Sequence, residues 1–362
     1  MANFAMPTGR MRQDSASVSA EVAVTDDALV DAVAADVVLE REIALGHGPV
    51  GDLAAGSGAV AVAAPADDTV TLLDPATLAE RAVVALGGEP TAVVVSDDRA
   101  YVSTASANQD AVAVVDLEAG RVTATFPVAS GVTALAVSPD GKRVYAGRTS
   151  GDHVEVTVID ITAERAGTID IGRGPAANID ALAMDPRGRR LFVAVTDDRG
   201  SQLIVVDAET TRVQRVVPVG SPLRDLACAG DTLYALTSDR AVGGAVHVID
   251  LSVATVTDTV VVGGAPTQLT LSPDETRAYV VDYDRVIVVC TVSLEIVDAL
   301  TVAARPSCVA PSADGSRLFI ADYSGRLSVF SVESTIGILY SQLLATDPIA
   351  LAVPRARQPV TV

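Results

Sequence analysis

Short runs of alternating or continuous apolar residues, each bounded by polar turn residues, recur along almost the whole chain. One unit illustrates the order. Val132-Thr133-Ala134-Leu135-Ala136-Val137 reads as a first strand, and Ser138-Pro139-Asp140-Gly141 supplies turn chemistry, proline fixing φ and glycine tolerating positive φ. Arg143-Val144-Tyr145-Ala146 is a second strand, Arg148 to Asp152 a polar loop, Val154 to Asp160 a third strand and Arg165 to Ile171 a fourth. The turn recurs as Asp185-Pro186-Arg187-Gly188, Ser272-Pro273-Asp274-Glu275 and Ser312-Ala313-Asp314-Gly315. Aspartates close the third strand at Asp74, Asp116, Asp160, Asp207 and Asp250, where a carboxylate bonding turn N–H groups is the simplest role. Cys290 and Ser331 interrupt that series.

A proline marks one point of each unit: Pro49, Pro90, Pro175, Pro222, Pro266, Pro306 and Pro348, with Val132 in the unit that lacks it. The intervals of 40 to 47 residues match one four-stranded propeller blade. The predicted fold is all-β: a single β-propeller of four-stranded antiparallel blades over residues 15–362, preceded by a flexible N-terminus at 1–14. Eight first strands can be counted, the last being Ile349 to Val353. Its partners are sought at the N-terminus, because Asp26-Asp27 through Pro49 aligns without a gap onto Asp67-Asp68 through Pro90, with Glu40-Arg41 matching Glu80-Arg81. Eight blades closed by N-terminal strands and one C-terminal strand are therefore expected, with seven as the alternative. Such closure removes exposed strand edges.

These repeats resemble the YVTN/lactonase-like β-propeller family over nearly the whole chain. The resemblance implies the fold, and for activity it leaves lactonases, surface-layer proteins and binding scaffolds all open.

Composition narrows the class. No apolar run approaches the ~18 residues a spanning helix needs, so direct membrane insertion is not expected. A formal charge of −20 opposes nucleic-acid binding through phosphates. Lys142 is the sole lysine, an arginine bias of high-GC, actinobacterial type. Arg10 and Arg12 precede no signal-peptide core, so the cytoplasm is the expected location. Cys228, Cys290 and Cys308 fall in strands without metal-ligand spacing and are read as reduced, structural thiols.

Candidate chemistry collects on one rim, where second-to-third and fourth-to-first connections meet. The binding candidates are Arg148, His153, Asp197, Asp198, Asp239, Arg240, Asp282, Tyr283, Asp284, Arg285, Asp322, Tyr323 and Arg326. The fourth-to-first connections add His47, Glu89, Arg173, Arg224-Asp225, Arg305 and Asp347. His47, Asp180, Arg224, Asp225 and Asp284 are the residues a hydrolase could assemble at the channel mouth. His247 lies in a third strand and is read as structural. No nucleophile elbow, zinc motif, haem attachment or calcium loop is present, so neither a cofactor nor a metal is expected. The functional expectation is a monomeric, non-enzymatic scaffold binding a partner protein by this rim, in a membrane-associated envelope or lipid-export complex. A lactonase-like hydrolase is the alternative.

Overall fold

The structure, a computed structural model, describes residues 37–46, 48–107 and 109–333. Its strands form seven four-stranded antiparallel sheets. The first strands of these sheets are β2 (Asp52–Ala55), β6 (Glu89–Ser96), β10 (Val132–Val137), β14 (Asn178–Met184), β18 (Leu223–Ala229), β22 (Gln268–Leu271) and β26 (Pro306–Pro311). Each packs beside the next, and β26 returns to β2, which closes a ring of seven blades around a channel.

The expectation of eight blades is corrected here. β26, β27 (Arg317–Asp322) and β28 (Arg326–Val332) take β1 (Val37–Ala44) as their outer strand. Val37 faces Val332 and Ala44 faces Arg326 in antiparallel register. Arg317 Nε lies 3.2 Å from Glu40, and Leu45 N–H donates to the Gly325 carbonyl across the same seam. The fourth-strand phase read from Glu40-Arg41 is thus correct, but the expected division of the closing blade is not: one strand from the N-terminal side joins three from the Pro306 unit, in place of several N-terminal strands and one C-terminal strand. That strand completes the Pro306 blade, leaving no open position in the ring for another sheet. The segments offered as the other eighth-blade strands, Ala20 to Val24 and Ile349 to Val353, lie outside the described residues.

Burial falls from second strand to fourth, as the sequence pattern requires. Val60–Ala64 is buried at every position and Leu191 to Val195 likewise, whereas the outer strand Thr255–Val261 buries only Val260. One site on the second strand carries a ring in six blades: Tyr101, Tyr145, Phe192, Tyr234, Tyr279 and Phe319, each buried between sheets. Tyr101 also donates its hydroxyl to the Gly141 carbonyl in the next blade's turn at 2.7 Å. A buried phenol needs such an acceptor, so the ring packs and the hydroxyl locks neighbouring blades together.

The strand-end aspartates are turn caps. Asp74 accepts the N–H groups of Ala76 and Thr77, Asp207 those of Glu209 and Thr210, and Asp250 those of Ser252 and Val253. For Asp250 the Ser252 hydroxyl contributes most and these N–H bonds next, for Asp74 and Asp207 the N–H bonds lead, and all three carboxyls are held below their usual range. Where the series breaks, Cys290 Sγ receives the Ser293 N–H at 3.4 Å. The turns also need one residue in the left-handed region. Gly120 fills it in the second blade, while Leu78, Glu164, Thr211, Ala254 and Leu294 occupy it elsewhere despite their side chains.

Candidate functional site

The channel wall is shaped by a bulge near the start of five of the seven first strands. Pro90 pairs with Thr104 and Ala92 with Ser103, so Thr91 is looped out of the ladder. Thr133, Asp180, Arg224 and Ser307 are looped out in the same way, and Gly51 and Thr267 hold the corresponding place. All seven line a cavity of about 670 Å3 along the axis. A bulge frees one residue from pairing and re-aims its side chain. Arg224 and Asp225, expected in a connection, are instead consecutive residues of β18 and lie in the wall of the channel.

The next residue does a second job in three of the strands. Asp52 accepts the N–H groups of Leu53 at 2.9 Å and of Val93, on the following blade, at 2.8 Å. Asp225 repeats this with Leu226 and, across the blade boundary, Leu269, both at 2.8 Å. Gln268 Oε1 takes the Val309 N–H at 2.8 Å. Three of the seven boundaries are therefore fastened by a side chain at one repeat position. Both aspartates keep some surface on the channel, yet protein encloses them deeply enough for burial to dominate. Burial pushes Asp52 up to about 6 and Asp225 up to about 7, against the pull of two backbone N–H donors on each. The charge of Asp52 adds to the rise at Asp225. Asp180 is raised too, by burial, opposed by the Thr196 hydroxyl, the Asn178 amide and the Arg224 charge.

Of the catalytic candidates, Asp180, Arg224 and Asp225 share the channel wall. Asp284 is an exposed turn residue paired at 3.8 Å with Arg285, and it does not line the channel. His47 lies outside the described residues. Cys308 also reaches the channel, but burial drives its thiol well above the ordinary value, which disfavours the nucleophilic thiolate.

The rim candidates divide by burial. Arg148 is not in a loop: it lies within the strand Arg143–Ser150, is buried, and is held by Glu155 and the carbonyls of Ala129 and Ser130. His153 begins the following strand and contacts Asp170 at 3.1 Å. Asp282 and Asp322 are buried as well. Asp282 receives the Ala265 N–H, and Asp322 receives those of Ser324 and Arg326, so both fasten loops. Asp197 and Asp239 accept the N–H of Arg199 and of Ala241 in their own turns. Asp198, Arg240, Arg285 and Arg326 are exposed, with Arg326 set 3.8 Å from Glu42.

One group converges. The guanidinium of Arg305 stands 4.4 Å from the ring centre of Tyr283 and 5.2 Å from that of Tyr323. The rings come from the second-to-third turns of neighbouring blades, and Arg305 comes from the connection between those blades. Tyr323 lines the channel as well, which puts the cluster at its mouth. Among the described residues, Tyr283 (59% exposed) and Tyr323 (49%) are the only large aromatic side chains open to solvent.

Comparison with known proteins agrees with this architecture. Residues 22–340 match the family described as YNCE-like beta-propeller. The chain belongs to the YNCE-like β-propeller family. A seven-bladed beta-propeller protein of Mycolicibacterium smegmatis is 47% identical over 328 residues, covering 90% of this chain and 88% of that one. The seven-bladed beta-propeller protein Rv1057 of Mycobacterium tuberculosis is 32% identical over 289 residues, 69% of this chain and 74% of its own. A chain of Kuenenia stuttgartiensis hydrazine synthase superposes with a TM-score of 0.69 over 81% of this chain and 98% of its own; at 17% identity it shows a shared fold alone.

Within this YNCE-like propeller, two sets of residues escaped the sequence reading. Asp52 and Gln268 were passed over, although Asp52 follows Pro49 by the same offset at which Asp225 follows Pro222. Arg305 was placed on the rim, but its position between two rings depends on which blades are neighbours. That relation lies in the ring and not in the repeat.

Proposed function

We propose that this propeller is a non-enzymatic partner-binding protein and that its partner, another protein, docks on the face bearing Tyr283, Arg305 and Tyr323. The observation that carries this reading is the exposure of those two rings. A chain with few aromatic residues buries the rest of those described, apart from half-buried Phe126, and leaves two exposed side by side around an arginine. Tyrosine and arginine are the residues that most often anchor protein interfaces. The setting we propose is a membrane-associated envelope or lipid-export complex. The test is affinity capture from the native host with wild-type protein and with the double substitution Tyr283→Ala, Tyr323→Ala. A specific partner recovered by the first and lost by the second is the expected result. The same recovery with both defeats the proposal.

A lactonase-like hydrolase is the second reading, favoured by one observation: Asp225 sits in the channel beside Arg224 with its carboxyl raised to about 7. A carboxylate poised near neutrality can serve as a general base. Turnover of a lactone panel that disappears with Asp225→Asn, while the ring stays folded, would support it.

A further inference from the structure

Arg305 differs from the arginines beside it. On the same two turns, Arg285 pairs with Asp282 and Asp284, and Arg326 pairs with Glu42. Arg305 is exposed, and its side chain has no ion pair or hydrogen bond among the described residues. Its contacts are the faces of two rings. Ring faces attract a cation but accept none of the five N–H bonds that a guanidinium offers. The charge is thus held in place while its donors stay unused. An arginine normally loses rotamer freedom when it binds; one clamped between two rings has already lost much of it.

We infer that the Tyr283–Arg305–Tyr323 cluster is a seat for a carboxylate, supplied by an aspartate or glutamate side chain on a segment of the partner protein. This rests on the partner-binding reading above. Charge and shape both select such a group. The planar fork of Arg305 matches a carboxylate in two parallel bonds. The two rings flank it with apolar surface that suits the methylenes or neighbouring side chains of a peptide. The chain's charge of −20 does not oppose the contact decisively, because at physiological ionic strength screening confines each charge to about 8 Å. The carboxylates flanking the two rings are already engaged, Asp282 and Asp284 by Arg285 and Asp322 by N–H groups of its own turn, which leaves Arg305 as the unpaired charge of the seat. Arg305 is also set in rigid surroundings. Its carbonyl receives the Tyr323 N–H at 3.1 Å, and buried Asp322 ties down the turn that carries that ring.

The experiment uses a random dodecamer peptide library displayed on phage, selected on the intact protein and counter-selected on Arg305→Gln. Recovered peptides are synthesised with a fluorescent label and titrated by anisotropy. The expected result is enrichment of Asp or Glu in the retained peptides, with affinity falling about 10- to 100-fold on Arg305→Gln. Arg305→Lys keeps the charge without the fork and should recover part of the loss. Matching melting temperatures establish that each variant is folded. Peptides lacking acidic residues, equal affinity for Arg305→Gln, or no retained peptide at all overturns the inference. Captured partner that survives Arg305→Gln but is lost with Tyr283→Ala, Tyr323→Ala would overturn the carboxylate seat and leave the docking face intact.

Discussion

The carboxylate of Asp52 accepts the backbone N–H of Val93 at 2.8 Å, joining the first blade to the second from inside the channel. Asp225 does the same for Leu269 on the opposite side of the chain's midpoint. Each bond satisfies an amide, yet each also keeps an acid in surroundings that favour its neutral form.

Stability should therefore fall as pH rises from about 4 to 7. Both carboxyls titrate higher in the folded protein (about 6 and about 7) than the ordinary 3.8, so across this interval the folded state holds more protons than the unfolded chain. Ionising them costs the folded state on the order of a few kcal/mol. The depressed carboxyls of Asp74, Asp207 and Asp250 act oppositely, and their contribution is lost as pH falls below about 4. Melting temperature should peak near pH 4–5. Asp225→Asn, which retains an oxygen for Leu269, should flatten the decline between pH 4 and 7. An unchanged slope would show that Asp225 is not the titrating group.

Ring closure predicts two different truncations. Starting the chain at Val37 leaves every strand of the seven sheets in place, and the melting temperature should hold. Removing residues through Ala44 strips β1 from β28, exposes that strand's edge and deprives Arg317 of Glu40. Loss of cooperative unfolding or aggregation is expected, read by calorimetry and size-exclusion chromatography.

Thr211 tests the cost of the left-handed turn position. It is β-branched, exposed and held at φ 57°. Thr211→Gly should stabilise the protein by about 1 kcal/mol. Gly120→Thr, in the equivalent turn, should cost more than that, because an added Cβ would lie 2.7 Å from the Ala82 Cβ. Denaturant midpoints decide both.

Tyr101→Phe removes one hydroxyl and leaves its ring. The Gly141 carbonyl then loses its donor, and a loss of about 1 kcal/mol is expected from urea unfolding.

These expectations show how legibility divides along the chain. Blade anatomy was readable because each strand repeats its own reason: Tyr145 and Tyr279 recur at one buried site, and Asp160 and Asp207 at one capped turn. The number of blades was harder, since Glu40-Arg41 announces a fourth strand but not the sheet it joins. Arg148 was misplaced because an arginine near a turn resembles a loop residue until Glu155 is seen opposite it within the ladder. The two exposed tyrosines were visible as Asp-Tyr pairs. Their meeting over Arg305 follows only from the spatial succession of the last two blades.

The looped-out residue at the head of each first strand has a wider consequence. Gly51, Thr91, Thr133, Asp180, Arg224, Thr267 and Ser307 stand outside the register that holds the blades together. The six that carry a side chain can change identity without shifting a strand pair, whereas at Gly51 an added Cβ would lie 2.5 Å from the Pro65 Cγ. The repeat can thus stay uniform where it builds the ring while its bore is rewritten one position at a time. Related propellers sharing every blade could differ in what their channels admit through a few substitutions at these six positions.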